Sequence, residues 1–288
     1  MDPSFQSLRA EYTSALKRFI ESTKNFEVIA SVGDRPRAAA PAEDRVGEVL
    51  YVLDSSFNPP TLAHRRIAYS VFQENLEKPS RLLLLLATQN ADKPSKPASF
   101  EDRLVMMLLF AQDLRDYLKS ETSNIEHRYV PVVDIGVTKE PYFADKAAEI
   151  DSAGVYPQPL EQVHLTGYDT LIRIFNTKYY PPGHTLAPLE PFLSKHRLRV
   201  TMRPDSEWGG KAEQEAYLAD IAQGRRENDG AKREWAQRIR LVEGKRPEEP
   251  SISSTRAREA IGANPEDLDW LVPKKVREFL ALSQPYSE

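Results

Sequence analysis

The sequence predicts an α/β chain built on an open, doubly wound parallel sheet with helices on both faces. Three observations predict it. From residue 49 onward, apolar runs of strand length alternate with amphipathic stretches of helix length. The run Leu82-Leu83-Leu84-Leu85-Leu86-Ala87 is apolar on both alternating faces, as a strand covered by helices on both sides must be. Each segment rich in polar and charged chemistry follows directly on an apolar run, which is where such sheets bind their ligands.

In chain order, residues 5–23 read as a helix with Leu8, Tyr12, Leu16, Phe19 and Ile20 on one face. Residues 26–31 read as a short strand, and 33–44, rich in proline, alanine and charge, as a loop. Residues 1–46 are therefore expected to be a helical extension packed on a main domain, 47–288. There, strand 49–54 leads to helix 62–75, strand 81–88, polar loop 89–99 and helix 100–119. Strand 129–134, helix 142–151, strand 162–166, helix 168–176 and strand 197–203 follow. The leucine run is read as a strand because it is short and lies between Pro79 and Asn90. Residues 204–238 read as a charged insertion, with an exposed helix at 213–223 and a mobile loop at 224–230, before a last strand at 238–242. No internal repeat is visible.

Composition narrows the class of function. With 288 residues, 40% of them hydrophobic, the chain can bury a substantial core. A net charge of only −4, with both signs interspersed, offers no basic footprint for nucleic acid. The absence of cysteine excludes disulfides and thiolate–zinc sites. Residues 1–10 carry Asp2, Gln6 and Arg9 and lack the apolar core of a signal peptide, and no apolar run approaches a membrane span. We expect a soluble intracellular protein, cytoplasmic and/or nuclear, with no membrane or nucleic-acid partner and room for a homo-oligomer.

The chemistry concentrates in two segments. Ser55-Ser56-Phe57-Asn58-Pro59-Pro60-Thr61-Leu62-Ala63-His64 follows strand 49–54 and leads into a helix that begins near Thr61. His64 then stands in the first turn, on the face of Thr61. Free helix-start amides, a hydroxyl and an imidazole converge there, which suits a phosphate chain; a proline-rich turn with a surface histidine is the plain alternative. Near the C-terminus, Ile252-Ser253-Ser254-Thr255-Arg256-Ala257-Arg258 combines hydroxyls at a helix start with two arginines, suited to a polyanion or simply an N-cap with solvated arginines.

Further candidates also follow strands. Gly167 permits close backbone approach, and Asp169 either accepts from a ribose hydroxyl or caps a helix. Arg203 comes directly after the strand residues 197–202. Lys93 and Lys96 in loop 89–99 either neutralise phosphate or are solvated. His127, His164, His184 and His196 lack metal-ligand spacing and read as structural or surface residues.

Together the two segments resemble the nucleotidyltransferase superfamily, adenylyltransferases that share a Rossmann-like core with class I aminoacyl-tRNA synthetases. SSFNPPTLAH resembles the GSFNPxTxxH of nicotinamide mononucleotide (NMN) adenylyltransferases, and ISSTRAR resembles their ISSTxxR. Asp269-Trp270-Leu271-Val272-Pro273-Lys274-Lys275-Val276 resembles the YLVPxxV that follows. The likeness is greatest to the fungal, promoter-of-filamentation type members, which carry an N-terminal extension and the variant DSSFNPPT…AH. It runs from about Gly47 to the C-terminus, strong at both ends and loose between.

The resemblance implies a nucleotidyltransferase fold and a reaction in which the NMN 5′-phosphate attacks the ATP α-phosphorus in line, giving NAD and pyrophosphate. It implies that His64 and Thr61 act at the α-phosphate and that Ser254, Thr255 and Arg258 hold the β- and γ-phosphates. Ser55, Ser56, Phe57, Ser253 and Arg256 would complete the ATP site, and Ser56, Phe57 and Tyr142 would meet NMN. Gly167-x-Asp169 matches the GxD whose aspartate contacts the ribose, Arg203 an arginine that contacts nucleotide, and Lys93 or Lys96 the loop lysine on the triphosphate. Mg²⁺ would bridge phosphates mostly through water, with no protein metal site. Two positions depart from the pattern: Ser55 replaces a glycine, and Asp102 in Glu101-Asp102-Arg103 replaces the histidine of an HR pair. The family's aromatic-plus-threonine pair against the nicotinamide has no clear match, and Tyr142 is the best stacking candidate. The alternatives are the same fold with another acceptor, such as pantetheine phosphate or FMN, and an ATP-binding regulatory or scaffold protein with residual ATPase activity.

Overall fold

The computed structural model describes residues 3–33, 49–74, 80–89, 97–121, 130–203, 208–244 and 249–286. Their strands form one seven-stranded sheet in the order β1-β4-β3-β2-β5-β6-β7. These are β1 (Phe26–Val32), β2 (Val49–Asp54), β3 (Ser80–Ala87), β4 (Val132–Thr138), β5 (Glu161–Gly167), β6 (Arg197–Thr201) and β7 (Ile239–Val242). All neighbours pair in parallel except β1, which runs antiparallel to β4. The helices are α1 (Pro3–Glu21), α2 (Leu62–Glu74), α3 (Phe100–Glu121), α4 (Phe143–Ser152), α5 (Tyr168–Ile174), α6 (Glu190–Lys195), α7 (Lys211–Ala222), α8 (Ser254–Ala263), α9 (Leu268–Leu271) and α10 (Lys274–Ser283).

The sheet is doubly wound, as expected. Strands β2, β3 and β4 are laid down outward from the centre in one direction, and β5, β6 and β7 in the other. The reversal falls between β2 and β5, where Leu53 pairs with Leu165. The loops after these two strands therefore diverge to opposite faces and leave a crevice between them.

The leucine run forms β3 and is buried on both faces. Leu82, Leu84 and Leu86 join the core under α1, α3 and α10, while Leu83 and Leu85 pack with Ile150, Tyr156 and Leu160 on the other face. Each contributes on the order of 2 kcal/mol by leaving water.

One expectation is corrected and two are sharpened. The strand placed at 129–134 is Val132–Thr138. Gly136 lies inside this strand, where a Cβ would come within 2.8 Å of Leu83 Cδ1 and 3.0 Å of Phe26 Cε2. The short strand of the N-terminal extension is the edge of the main sheet, with Ser31 Oγ donating to Asp134 Oδ1 at 2.6 Å. Residues 1–46 thus supply part of the sheet as well as α1, which packs on α3 and pairs Arg9 with Asp102 at 2.8 Å.

Within the charged stretch 204–238 the expected helix is present as α7, largely exposed but anchored by its inner face. Gln214 and Ile221 of α7 are buried, as is Trp235, whose indole N–H donates to Glu190. The segment covers β6 and β7. No helix among the described residues is long and apolar enough to cross a membrane.

Candidate active site

The turn after β2 is shaped by a buried aromatic. Phe57 takes φ 45°, uncommon for a bulky residue, and its ring is fully buried against His64 and Phe110 at 5.3 and 6.4 Å. That anchor turns the chain back so that α2 starts at Leu62 with Thr61 as its N-cap. His64, in the first turn, reaches back and accepts from the Thr61 amide through Nδ1 at 3.0 Å. This is the back-bond half of a capping box, with histidine where glutamate or glutamine is usual. The Thr61 hydroxyl also meets Nδ1, at 2.8 Å.

With Nδ1 an acceptor, the ring proton belongs on Nε2, which donates to Ser55 Oγ at 3.0 Å. Burial pushes the imidazole pKa down to about 4. His64 is therefore a neutral donor at physiological pH, with its N–H directed at the mouth of the turn.

The C-terminal segment meets this turn directly. Ser253 caps α8, accepting from the Arg256 amide at 3.1 Å. Ser254 donates to the Pro59 carbonyl at 2.8 Å, and Arg258 Nη1 donates to the Asn58 carbonyl at 2.6 Å. Two helix N-termini, of α2 and α8, thus open on one crevice, and neither has an acidic residue in its first turn. Their unpaired amides and dipoles favour an anion between them.

The crevice holds about 440 Å³ and is walled on its far side by the ends of β5 and β6. There Asp169 faces Arg203 at 3.5 Å. A Cβ at Gly167 would lie 2.6 Å from Asp169 Oδ1, so glycine lets this carboxylate fold back beside the strand end. Arg203 is fixed through its backbone: its amide donates to Gln214 Oε1 at 3.1 Å, and Gln214 Nε2 donates to its carbonyl at 2.9 Å. At the end of β2, Asp54 also lines the crevice and is neutralised by the buried Lys146 of α4. A wider open groove, about 890 Å³, runs along the flanks of α7 and β7, away from both helix N-termini. The smaller crevice is where the chemistry gathers.

No protein-family model matches the chain. A Schizosaccharomyces pombe protein named "Putative nicotinamide mononucleotide adenylyltransferase" is 32% identical over 279 residues, 96% of this chain and 97% of that protein. The chain belongs to the nicotinamide mononucleotide adenylyltransferase family. Its fold is also that of Plasmodium falciparum nicotinic acid mononucleotide adenylyltransferase. The complex of that enzyme with NaAD aligns at TM-score 0.52 and 13% identity, over 83% of this chain and 97% of that one. The complex with APC aligns at TM-score 0.50 and 12% identity over the same shares.

Of the residues that the family resemblance singles out, Ser55, Thr61, His64, Gly167, Asp169, Arg203, Ser253 and Ser254 line the crevice. None of the other described candidates lines it. The ring of Phe57 is buried, so only its backbone is available to a ligand; Ser56 beside it is exposed. Thr255 is exposed and accepts from Arg258 Nη2 at 3.1 Å. Arg256 stacks on Trp270, its Cζ 4.6 Å from the ring centre, and donates to the Ser251 carbonyl. Tyr142 caps α4 and faces the Tyr180 ring at 6.4 Å. The alternative of Asp169 as a helix cap does not hold, since Gly167 occupies the cap of α5. Lys93 and Lys96 lie outside the described residues.

The LVP segment of the family is a docking element. Leu271 and Val272 are buried, and the Lys275 amide donates to Asp113 of α3 at 2.8 Å. Sequence reading missed Asp54, Lys146 and Arg66. Arg66 lines the crevice and pairs with Glu249 at 2.6 Å. It follows His64 by two residues and was within reach of the first motif. Lys146 carries no local signal, because only the path of α4 brings it to Asp54.

Proposed function

We propose that this chain transfers the adenylyl group of ATP to nicotinamide mononucleotide or its nicotinate analogue, releasing NAD or its acid form and pyrophosphate. The convergence of the α2 and α8 N-termini at the β2/β5 reversal carries the reading. A triphosphate laid there meets free amides from both helices, with the ribose and base directed toward Gly167, Asp169 and Arg203.

The nucleophile is the acceptor's phosphate, already an anion, so no general base is required. Catalysis then consists of holding the reactants in line and stabilising charge on the α-phosphate. Neutral His64 supplies an N–H from Nε2 to an α-phosphate oxygen, exchanging Ser55 Oγ for it. Thr61 fixes the other ring nitrogen and hence the direction of that donor. Ser253, Ser254 and Arg258 attend the leaving pyrophosphate. Lys146 keeps Asp54 from repelling the incoming phosphates.

Mg²⁺ would enter as an ion carried on the nucleotide phosphates. Among the described residues no group of three or more His, Asp or Glu side chains is placed to hold a metal. The two crevice carboxylates, Asp54 and Asp169, are each paired with a cation. These residues fit an ion bound through phosphate and water.

The test is product analysis after incubation with ATP, Mg²⁺ and a panel of acceptor phosphates that includes NMN, nicotinate mononucleotide, pantetheine phosphate and FMN. NAD or its nicotinate analogue is the expected product. ATP binding without either product overturns the proposal.

A further inference from the structure

The ends of β2 and β5 stand side by side in the crevice. Leu53 pairs with Leu165. Asp54 and Thr166 come next in register, roughly 5 Å apart across the strands and on the same face of the sheet. Asp54 sets that face, since its carboxylate meets Lys146 of α4. His164, two residues before Thr166, packs on the same side, its ring 5.7 Å from that of Phe143 in α4. Both Asp54 and Thr166 line the crevice.

Each keeps hydrogen-bonding capacity that the protein does not use. Thr166 is only 4% exposed, and among the described residues its Oγ1 has no partner. A buried hydroxyl without a partner is costly for a fold to keep. The Asp54 carboxylate is bonded, among the described residues, by Lys146 alone, through Oδ2. Its Oδ1 is left as an acceptor. Lys146 is buried too, with its Nζ 5.3 Å from the centre of the Phe143 ring. It therefore balances the charge of Asp54 while leaving the second oxygen to a ligand.

A hydroxyl beside a carboxylate oxygen complements a primary carboxamide. The hydroxyl donates to the amide carbonyl, and the carboxylate accepts from the amide NH₂. A ligand carboxylate of the same shape only accepts. It can take the hydroxyl proton, but it leaves Asp54 without a donor and sets two negative charges together. We propose that Asp54 and Thr166 recognise the carboxamide of the acceptor, so that the enzyme takes nicotinamide mononucleotide in preference to its nicotinate analogue. Lys146 is a positioning residue that holds Asp54 in place. The proposal rests on the adenylyl-transfer reading of the crevice and narrows its acceptor.

The experiment measures kcat/KM for NMN and for nicotinate mononucleotide, together with calorimetric binding of each acceptor and of ATP. It uses the full chain and three variants of it: Asp54→Asn, Asp54→Asn combined with Lys146→Met, and Thr166→Val. The full chain should favour NMN by about tenfold or more, because a site built to accept from an N–H rejects an analogue that lacks one. Asp54→Asn offers an amide that can donate to the nicotinate carboxylate and frees Lys146 to attract it. The preference for NMN should fall by about tenfold, chiefly through KM. The double variant removes both members of the buried pair, so it avoids the misfolding that a lone buried Lys146 could cause, and its preference should fall as well. Thr166→Val keeps the shape of the side chain and should weaken both acceptors several-fold. A wild type that treats the two acceptors alike, or favours nicotinate, overturns the proposal. So does an unchanged preference in the folded Asp54 variants. Unchanged binding of both acceptors in Thr166→Val removes the hydroxyl from the site. If ATP and both acceptors bind but no dinucleotide forms, adenylyl transfer fails, and the ratio of the two acceptor binding constants decides the selectivity by itself.

Discussion

Arg258 donates from Nη1 to the main-chain carbonyl of Asn58 at 2.6 Å, across 200 residues of sequence. The bond ties the start of α8 to the turn that precedes α2, with Ser254 on the Pro59 carbonyl beside it. The arginine is therefore a clamp on the site's shape before it meets any ligand. Arg258→Ala should weaken ATP binding and also lower the melting temperature, by an amount equivalent to roughly 1–3 kcal/mol. Thermal unfolding and ATP calorimetry on the same preparation check this. A variant that loses ATP affinity with no change in melting would show that the clamp contributes nothing to the fold.

His64 has the same double character. As a donor to the α-phosphate its removal in His64→Ala should slow turnover by about a hundredfold or more. As the closing member of a capping box, its loss should also destabilise α2 by roughly 1 kcal/mol. His64→Gln separates the two. Its amide can accept from the Thr61 N–H and restore the cap, so stability should return to near wild type while turnover stays well below it. Full recovery of turnover by glutamine would deny the imidazole any special role.

The stability of the protein should fall in mild acid, in part through His64. Its folded pKa is about 4 because the ring is buried, against 6.5 when free. Between these values the unfolded chain binds a proton that the folded chain refuses. The stabilisation is complete above about pH 6.5 and is lost as pH falls toward 4, by on the order of 2–3 kcal/mol. Burial also holds His164 and His196 low, with the same sign. The measurement is therefore the difference in unfolding free energy between wild type and His64→Gln across pH 4 to 7, which should be small at neutral pH and turn against wild type toward pH 4. A constant difference would contradict the depressed pKa.

Gln214 does not line the crevice but holds both backbone groups of Arg203, which does. Gln214→Leu keeps the size of the side chain and removes these bonds. ATP affinity should fall by about tenfold through misplacement of the Arg203 loop, while pyrophosphate, bound at the opposite helix ends, should be unaffected. Equal weakening of both ligands would mean that α7 supports the whole domain rather than the nucleoside end.

The sequence by itself determined the alternating strands and helices, the doubly wound order and the two phosphate-facing segments. Each is written in local terms: the two-sided leucine run of β3, the turn at Ser55 to His64, and the hydroxyl cap at Ser253. Such features depend on neighbours within a few residues, so spacing and residue type reveal them. Tertiary structure alone decided what those segments touch. That Arg258 spends one nitrogen on Asn58, that Arg256 turns away to Trp270, and that Lys146 neutralises Asp54 all follow from the crossing of distant helices over the strand ends. Why Gly136 stands inside β4 is likewise a tertiary matter: Leu83 and Phe26 leave no room there for a larger residue. The charged stretch before β7 looked solvated because its polar residues outnumber the few, Gln214, Ile221 and Trp235, that face inward. Hydrogen bonds between residues far apart in the chain leave no periodicity in the sequence, and only the assembled sheet brings their partners within reach.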